Sequence, residues 1–211
     1  MATTATAHPA PVPAAPLSLR DRASRAVRAE VAEVAMRLFQ EHGFDKTTVD
    51  QIAAAAGLSR TSFFRYFATK EDVILGHLVE LKQRLLVELA GRPEQEPVWR
   101  SLRRAFDVLV EEAVAVPEHG LAAARMLHDT PSLRCRQLGK QLGWLDALVP
   151  EVARRLGVAD AASDARPRAL AAAALGCLNA AVDLWTVSDG SLDLAVLLDQ
   201  AMGAVAGQGC G

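Results

Sequence analysis

TTVDQIAAAAGLSRTSFFRYFATKED, residues 47–72, decides the fold of this chain. Thr48 and, three positions on, Gln51 form a capping box, each side chain satisfying a free backbone N–H, so a helix is predicted to start there. Val49, Ile52, Ala53 and Ala56 give that helix an apolar face with small residues, which lets another helix approach closely. Gly57 supplies the stop, because the residue just past a helix end often takes a left-handed conformation that costs glycine nothing. Ser59 then caps a second short helix, about Arg60–Phe67, with Leu58 plugging the space between the two. Two helices joined by Gly-Leu-Ser have the pattern of a helix-turn-helix, although a plain capped hairpin with solvated arginines has the same spacing. On the second helix Phe63 and Phe67, four apart, face inward. Arg60, Thr61, Ser62 and Arg65 are expected to point outward, offering donors to base edges and phosphates, with the hydroxyl of Tyr66 beside them. Lys70 falls in the first turn of the following helix, where its charge and free backbone N–H groups suit a phosphate.

Around this stretch the chain reads as helix. Ser18 and Asp21 start a first helix whose Val27, Val31, Val34 and Leu38 recur as one apolar stripe before Gly43 stops it. Thr69 is expected to cap a long helix running to about Ala90, ended by Gly91 and the loop 93–97. Further segments follow over about 97–115, 119–128, 132–156, 167–187 and 191–206, punctuated by Pro117, Pro131, Gly157, Pro167 and Gly190. Alternating Val/Ile/Thr runs and Asn-Gly or Asp-Gly hairpins are missing, so the expected fold is all-α. Residues 1–17, rich in alanine and proline, read as a disordered tail without the basic-then-apolar pattern of a secretory signal. Residues 18–72 read as a three-helix DNA-binding domain and 73–211 as a helical ligand-binding and dimerisation domain. The longest apolar stretches contain Asp183, Asp193 or Asp199, so no membrane span is expected.

Composition agrees. The 211 residues are 51% hydrophobic and carry a net charge of −2, enough to bury a real core. Residues 1–70 hold nine Lys/Arg against six Asp/Glu, whereas 71–211 hold fourteen against nineteen. A mildly basic first third on an acidic body is what phosphate contact by one end requires. Cys135, Cys177 and Cys210 are odd in number and far apart, which suits free or buried thiols in a reducing cytoplasm. The five histidines form no His-Glu-x-x-His motif, and neither a Gly-rich phosphate loop nor a Gly-x-Ser-x-Gly elbow occurs. An enzyme is therefore not expected, nor a cofactor, a metal site or catalytic residues.

The stretch Val27–Leu75 resembles the N-terminal domain of the TetR family of transcriptional regulators. Ala35, Leu38, Phe39, Gly43, Phe44, Thr48, Ile52, Ala53, Ala56, Gly57, Ser59, Phe63, Tyr66, Phe67 and Lys70 carry the likeness. The resemblance implies a homodimer with a DNA-binding head on an all-α regulatory body. It makes Thr48, Arg65, Tyr66 and Lys70 phosphate contacts, with Thr47 nearby, and Arg60, Thr61 and Arg65 base readers. Phe64 departs from the tyrosine of many members, losing a hydroxyl, and Thr61 stands where glycine is common.

TPSLR at 130–134, Trp144, RPRALAAAALGCL at 166–178 and Trp185 are similar to C-terminal domains of TetR members of the mycofactocin-regulator kind and others that take acyl-CoA-like ligands. Leu170, Ala174, Leu178, Ala181 and Trp185 form one stripe, and Leu194, Leu197, Leu198 and Met202 another. These stripes fit either a four-helix contact with a second copy or an intramolecular core. Arg125, His128, Trp144, Asn179 and Asp183 are the candidate effector-binding residues, Arg125 and His128 sharing a face suited to an anion. The expected function is a cytoplasmic homodimeric repressor, released from a pseudo-palindromic operator by a small apolar or acyl-type effector. A DNA-binding factor with no effector, one controlled by a protein partner, and an activator share the same signature.

Overall fold

The computed structural model describes residues 18–207; the expected tail over residues 1–17 and Cys210 lie outside them. Among the described residues every regular element is a helix. In chain order they are α1 (Leu19–His42), α2 (Val49–Ala55), α3 (Arg60–Tyr66), α4 (Glu71–Leu75), α5 (Leu78–Gly91), α6 (Val98–Ala105), α7 (Asp107–Ala115), α8 (Pro117–Asp129), α9 (Pro131–Arg155), α10 (Arg166–Val187) and α11 (Leu194–Ala206).

Two apolar clusters organise them. In the head, Val31, Ala35 and Phe39 of α1 meet Ile52, Ala53, Phe63 and Phe67, and the cluster continues through Val73, Ile74 and Leu75 of α4. In the body, α10 lies between α9 and α11 and buries Ala171, Ala174, Leu178, Ala181 and Trp185 against them, with Leu81, Leu85, Leu102 and Phe106 closing the far side. Burial pushes the thiol of Cys177, on α10, above its ordinary pKa, whereas Cys135 is exposed. At the end away from the head, the guanidinium of Arg155 donates to the Leu89 and Arg92 carbonyl oxygens at 2.6 and 2.8 Å, capping the C-terminus of α5.

Three expectations need correction. The helix expected from Thr69 to Ala90 is two, α4 and α5, because the turn tightens at Gly76. A Cβ there would lie 2.5 Å from the Asp72 carbonyl oxygen, so the local path excludes any side chain. The segment 97–115 divides at Phe106, where ψ flattens to −10° as the ring is buried completely. Finally, α10 is long and apolar enough to cross a membrane, one stretch of 18 residues within it having a mean hydropathy of 1.5. Asp183 does not prevent that, yet one side of α10 is the spine of the body core. The stripes Ala174–Leu178–Ala181–Trp185 and Leu194–Leu197–Leu198–Met202 are packed into that core, which settles their alternative in favour of an intramolecular role.

Head and body are joined by more than the α4–α5 connection. Leu133, near the start of α9, is fully buried inside the head cluster, with Met126 and Leu127 of α8 beside it. One and two turns further along α9, Arg136 donates to Thr69 Oγ1 (2.8 Å) and Glu71 (3.0 Å), and Lys140 donates to Asp72 (3.1 Å). Burial pushes the Asp72 carboxyl up in pKa, but hydrogen bonds from Lys140 and Thr69 and the nearby Arg136 charge outweigh it and hold the group below the usual carboxylate range. Leu133→Ala should therefore cost about 2–5 kcal/mol. The loss should fall on the head, so that thermal unfolding followed by amide exchange shows α1–α3 opening before the body. Uniform destabilisation of all helices would contradict this division.

Candidate nucleic-acid interface

The helix-turn-helix forms through its caps. Gln51 N donates to Thr48 Oγ1 at 3.2 Å while Thr48 N donates to Gln51 Oε1 at 2.8 Å, closing the box at the start of α2. Gly57 takes φ +66°, and Leu58 N donates to Ala53 O (2.8 Å), a helix-ending turn that a side chain at 57 would strain. Ser62 N donates to Ser59 Oγ at 3.1 Å and starts α3. With α3 fixed at both ends, Phe63 is completely buried and Phe67 nearly so, their rings 5.2 Å apart. The 3.6-residue period then turns Arg60, Thr61, Phe64 and Arg65 to solvent, with Ser62 and Tyr66 half-buried at the flanks. Arg65 lies over the Tyr66 ring, 5.1 Å from its centroid.

Arg60, Thr61, Ser62, Arg65 and Tyr66 thus lie off the buried side of α3, and Thr48, at the start of α2, is exposed. Two of the expected contacts are engaged within the head. Thr47 is buried, and its hydroxyl donates to the Gly43 and Leu38 carbonyl oxygens at 2.9 and 3.2 Å, bracing the end of α1. Lys70 donates to the Phe44 and Thr47 carbonyl oxygens at 2.7 and 3.0 Å, its ammonium 4.1 Å from the Phe44 ring centroid. The lysine fastens α4 to the loop between α1 and α2, and because both acceptors are neutral carbonyls its positive charge stays at the half-buried edge of the head. Arg28 of α1 was not among the expected residues, yet it sits over the Phe67 ring at 6.0 Å and adds a cation beside α3. The repeated arginines at 20, 22, 25 and 28 are the signal that could have found it.

The five effector candidates do not converge. Arg125 pairs with Asp189, and with Met126 and Asp129 it lines a cleft of about 320 Å³ between α8 and the end of α1. His128, on the same helix, is exposed. Trp144 is buried in the body core. Asn179 and Gln141 exchange amide hydrogen bonds of 2.7 and 3.0 Å, and Asp183 pairs with Arg134 at 3.2 Å. Asn179 and Asp183 therefore tie α10 to α9, and Asp189, in the turn after α10, ties that turn to α8. An apolar cleft of about 320 Å³ does occur elsewhere, between α7, α8 and the α10–α11 turn, walled by Val110, Val114, Leu121, Trp185 and Leu194.

Known proteins share this plan. Residues 31–76 match the profile of bacterial regulatory proteins of the tetR family, and residues 96–208 match that of the MftR C-terminal domain. A Mycobacterium tuberculosis protein named as the mycofactocin biosynthesis transcriptional regulator MftR is 32% identical, covering 82% of this chain and 84% of its own. The HTH-type transcriptional regulator TcmR of Streptomyces glaucescens is also 32% identical, over 73% of this chain and 70% of its own. Among solved structures, the TetR-family repressor FadR of Thermus thermophilus, in complex with lauroyl-CoA, superimposes with a TM-score of 0.56 at 26% identity, covering 85% of this chain and 93% of its own.

Arg65 and Lys70 should separate in their salt dependence. Arg65→Ala is expected to weaken duplex binding and lower the slope of log affinity against log salt by about one. Lys70→Met should leave that slope alone and reduce the melting temperature of the head, since two loop carbonyls lose their donor. A slope change on Lys70→Met at an unchanged melting temperature would make Lys70 a phosphate contact after all.

Proposed function

This chain belongs to the TetR family of transcriptional regulators, and from that premise we propose that it is a homodimeric repressor, released from its operator by a small apolar or acyl-type effector. The observation that carries the proposal is the outward polar face of α3, held by the burial of Phe63 and Phe67. Thr48, Arg65 and Tyr66 would contact phosphates, and Arg60, Thr61 and Ser62 would approach base edges. Two copies would place their α3 helices in successive major grooves of a pseudo-palindromic site, about 34–36 Å apart. The work is done in the bacterial cytoplasm, where operator DNA lies.

The second copy is argued from the side of α10 that its own bundle leaves uncovered. Ala172, Gly176, Ala180, Leu184 and Val187 are exposed at spacings of four, four, four and three, and Val196 and Gly203 of α11 are exposed too. Leu184 is 48% and Val187 70% exposed, an apolar stripe that a partner would cover. The dimer thus uses the expected pair of helices, but by the faces opposite the two packed stripes. Gly176 has open space where a Cβ would stand, so Gly176→Arg is harmless to the isolated chain and blocks close approach of a second α10. Light scattering should find this variant monomeric with its operator affinity reduced by orders of magnitude, since two linked half-sites become one. A dimer that survives would move the interface elsewhere.

The effector is argued from the cleft beside Trp185, apolar and about 320 Å³ in volume, near the lower end of ligand pockets. It suits a small apolar group or part of an acyl chain. An effector that prefers one head separation shifts the dimer toward it, and Leu133, Arg136 and Lys140 are the direct mechanical link from body to head. A second reading, regulation without an effector, is supported by the internal pairing of Arg125, Asn179 and Asp183. Titration with acyl-CoAs and fatty acids of graded length separates the two. An occupied cleft should change Trp185 emission and release operator at the same concentrations. Saturating ligands that leave both unchanged would favour the effector-less form.

A further inference from the structure

We propose that Asp50 sets the sequence specificity of the recognition helix by holding Arg60 so that the guanidinium reads one guanine in each half-operator; the inference rests on the repressor reading above. Arg60 is the first residue of α3, the end of a recognition helix that meets base edges. Its Nη1 donates to both carboxylate oxygens of Asp50, on α2, at 2.7 and 2.6 Å. The guanidinium also lies over the Phe64 ring, 5.5 Å from the centroid. That ring is itself fixed edge-to-face on buried Phe63, with centroids 5.5 Å apart and planes at 89°. A carboxylate on one helix and an aromatic ring on the other therefore hold the side chain.

The remaining edge of the guanidinium is open. Among the described residues Arg60 spends only Nη1 on hydrogen bonds, leaving Nε–H and Nη2–H side by side. Guanine presents two acceptors, O6 and N7, side by side in the major groove. Adenine replaces O6 with an N–H₂ donor and so meets donor with donor. The ion pair is too exposed to add much to the stability of the head, its side chains being 60% and 63% accessible. Its consequence is conformational: a long, flexible side chain is ordered before DNA arrives, so less freedom is lost on binding. A carboxylate facing DNA repels phosphates, and its value lies in the arginine it orients. Phe64, where a tyrosine is common in the family, is an apolar prop for the same cation.

The full-length protein is first used to enrich an operator from random DNA, and affinities are then measured at one salt concentration for that site and for each guanine-to-adenine change in it. Arg60→Ala should abolish the penalty at one guanine per half-site, a penalty of roughly 5- to 150-fold in the native protein. Asp50→Asn should shrink the penalty at that same guanine by about 2- to 10-fold, leave the others unchanged, and not weaken binding to unrelated DNA. In the double variant, Asp50→Asn should add nothing at that position. Asp50→Glu, which keeps the charge, should restore part of the discrimination. An unchanged guanine penalty in Asp50→Asn overturns the proposal. So does an equal loss of affinity for all sequences, the signature of a carboxylate that merely stabilises the first turn of α2. Failure of the native protein to enrich any DNA would refute the repressor reading, whereas an enriched operator whose guanines ignore Arg60 refutes only this inference.

Discussion

The burial of Phe63 and Phe67 against α1 is the constraint on which the rest turns. A helix of seven residues is too short to hold itself together in water, so α3 exists because its two rings are locked into the head and its first turn is capped by Ser59. That anchoring fixes rotation about the helix axis, and rotation decides which side chains face outward. The polar face carrying Arg60, Thr61 and Arg65 is a consequence of packing beneath it. The same packing draws Thr47 into the head and sets the Lys70 ammonium on the loop carbonyls.

The head is not closed by its own residues. Leu133 reaches in from α9 and is as fully buried as the head's own Ile52 and Phe63, while Arg136 and Lys140 clasp Thr69, Glu71 and Asp72. A movement of α9 cannot leave the head where it was without exposing a leucine and separating these charged pairs. Coupling between body and head follows from that shared core, against which Leu78 of α5 packs as it does against the body cluster.

Much of this was legible in the sequence. The capping box at Thr48 and Gln51, the stop at Gly57, the cap at Ser59 and the inward Phe63 and Phe67 depend on interactions within a few residues of each other, and local patterns report local interactions faithfully. The all-α class followed from the same signals. What escaped were pairings between distant residues: Lys70 with the Phe44 and Thr47 carbonyls, Asp50 with Arg60, Asn179 with Gln141. Periodicity places a polar residue on a face but not opposite a partner, which is why Asn179 and Asp183 read as ligand groups. The apolar stripes of α10 and α11 left two alternatives open for a related reason. A helix with small residues all round looks alike on its core side and its exposed side, and only packing tells them apart.

The account stands or falls on whether α3 meets DNA with its outward face. Hydrogen–deuterium exchange and hydroxyl-radical side-chain footprinting of the full-length protein, with and without a duplex enriched from random sequence, test it directly. New protection of Arg60, Phe64, Arg65 and Tyr66 on binding, with Phe63 protected alike in both states, is the predicted result. Protection that leaves those side chains untouched and falls on another face would contradict it.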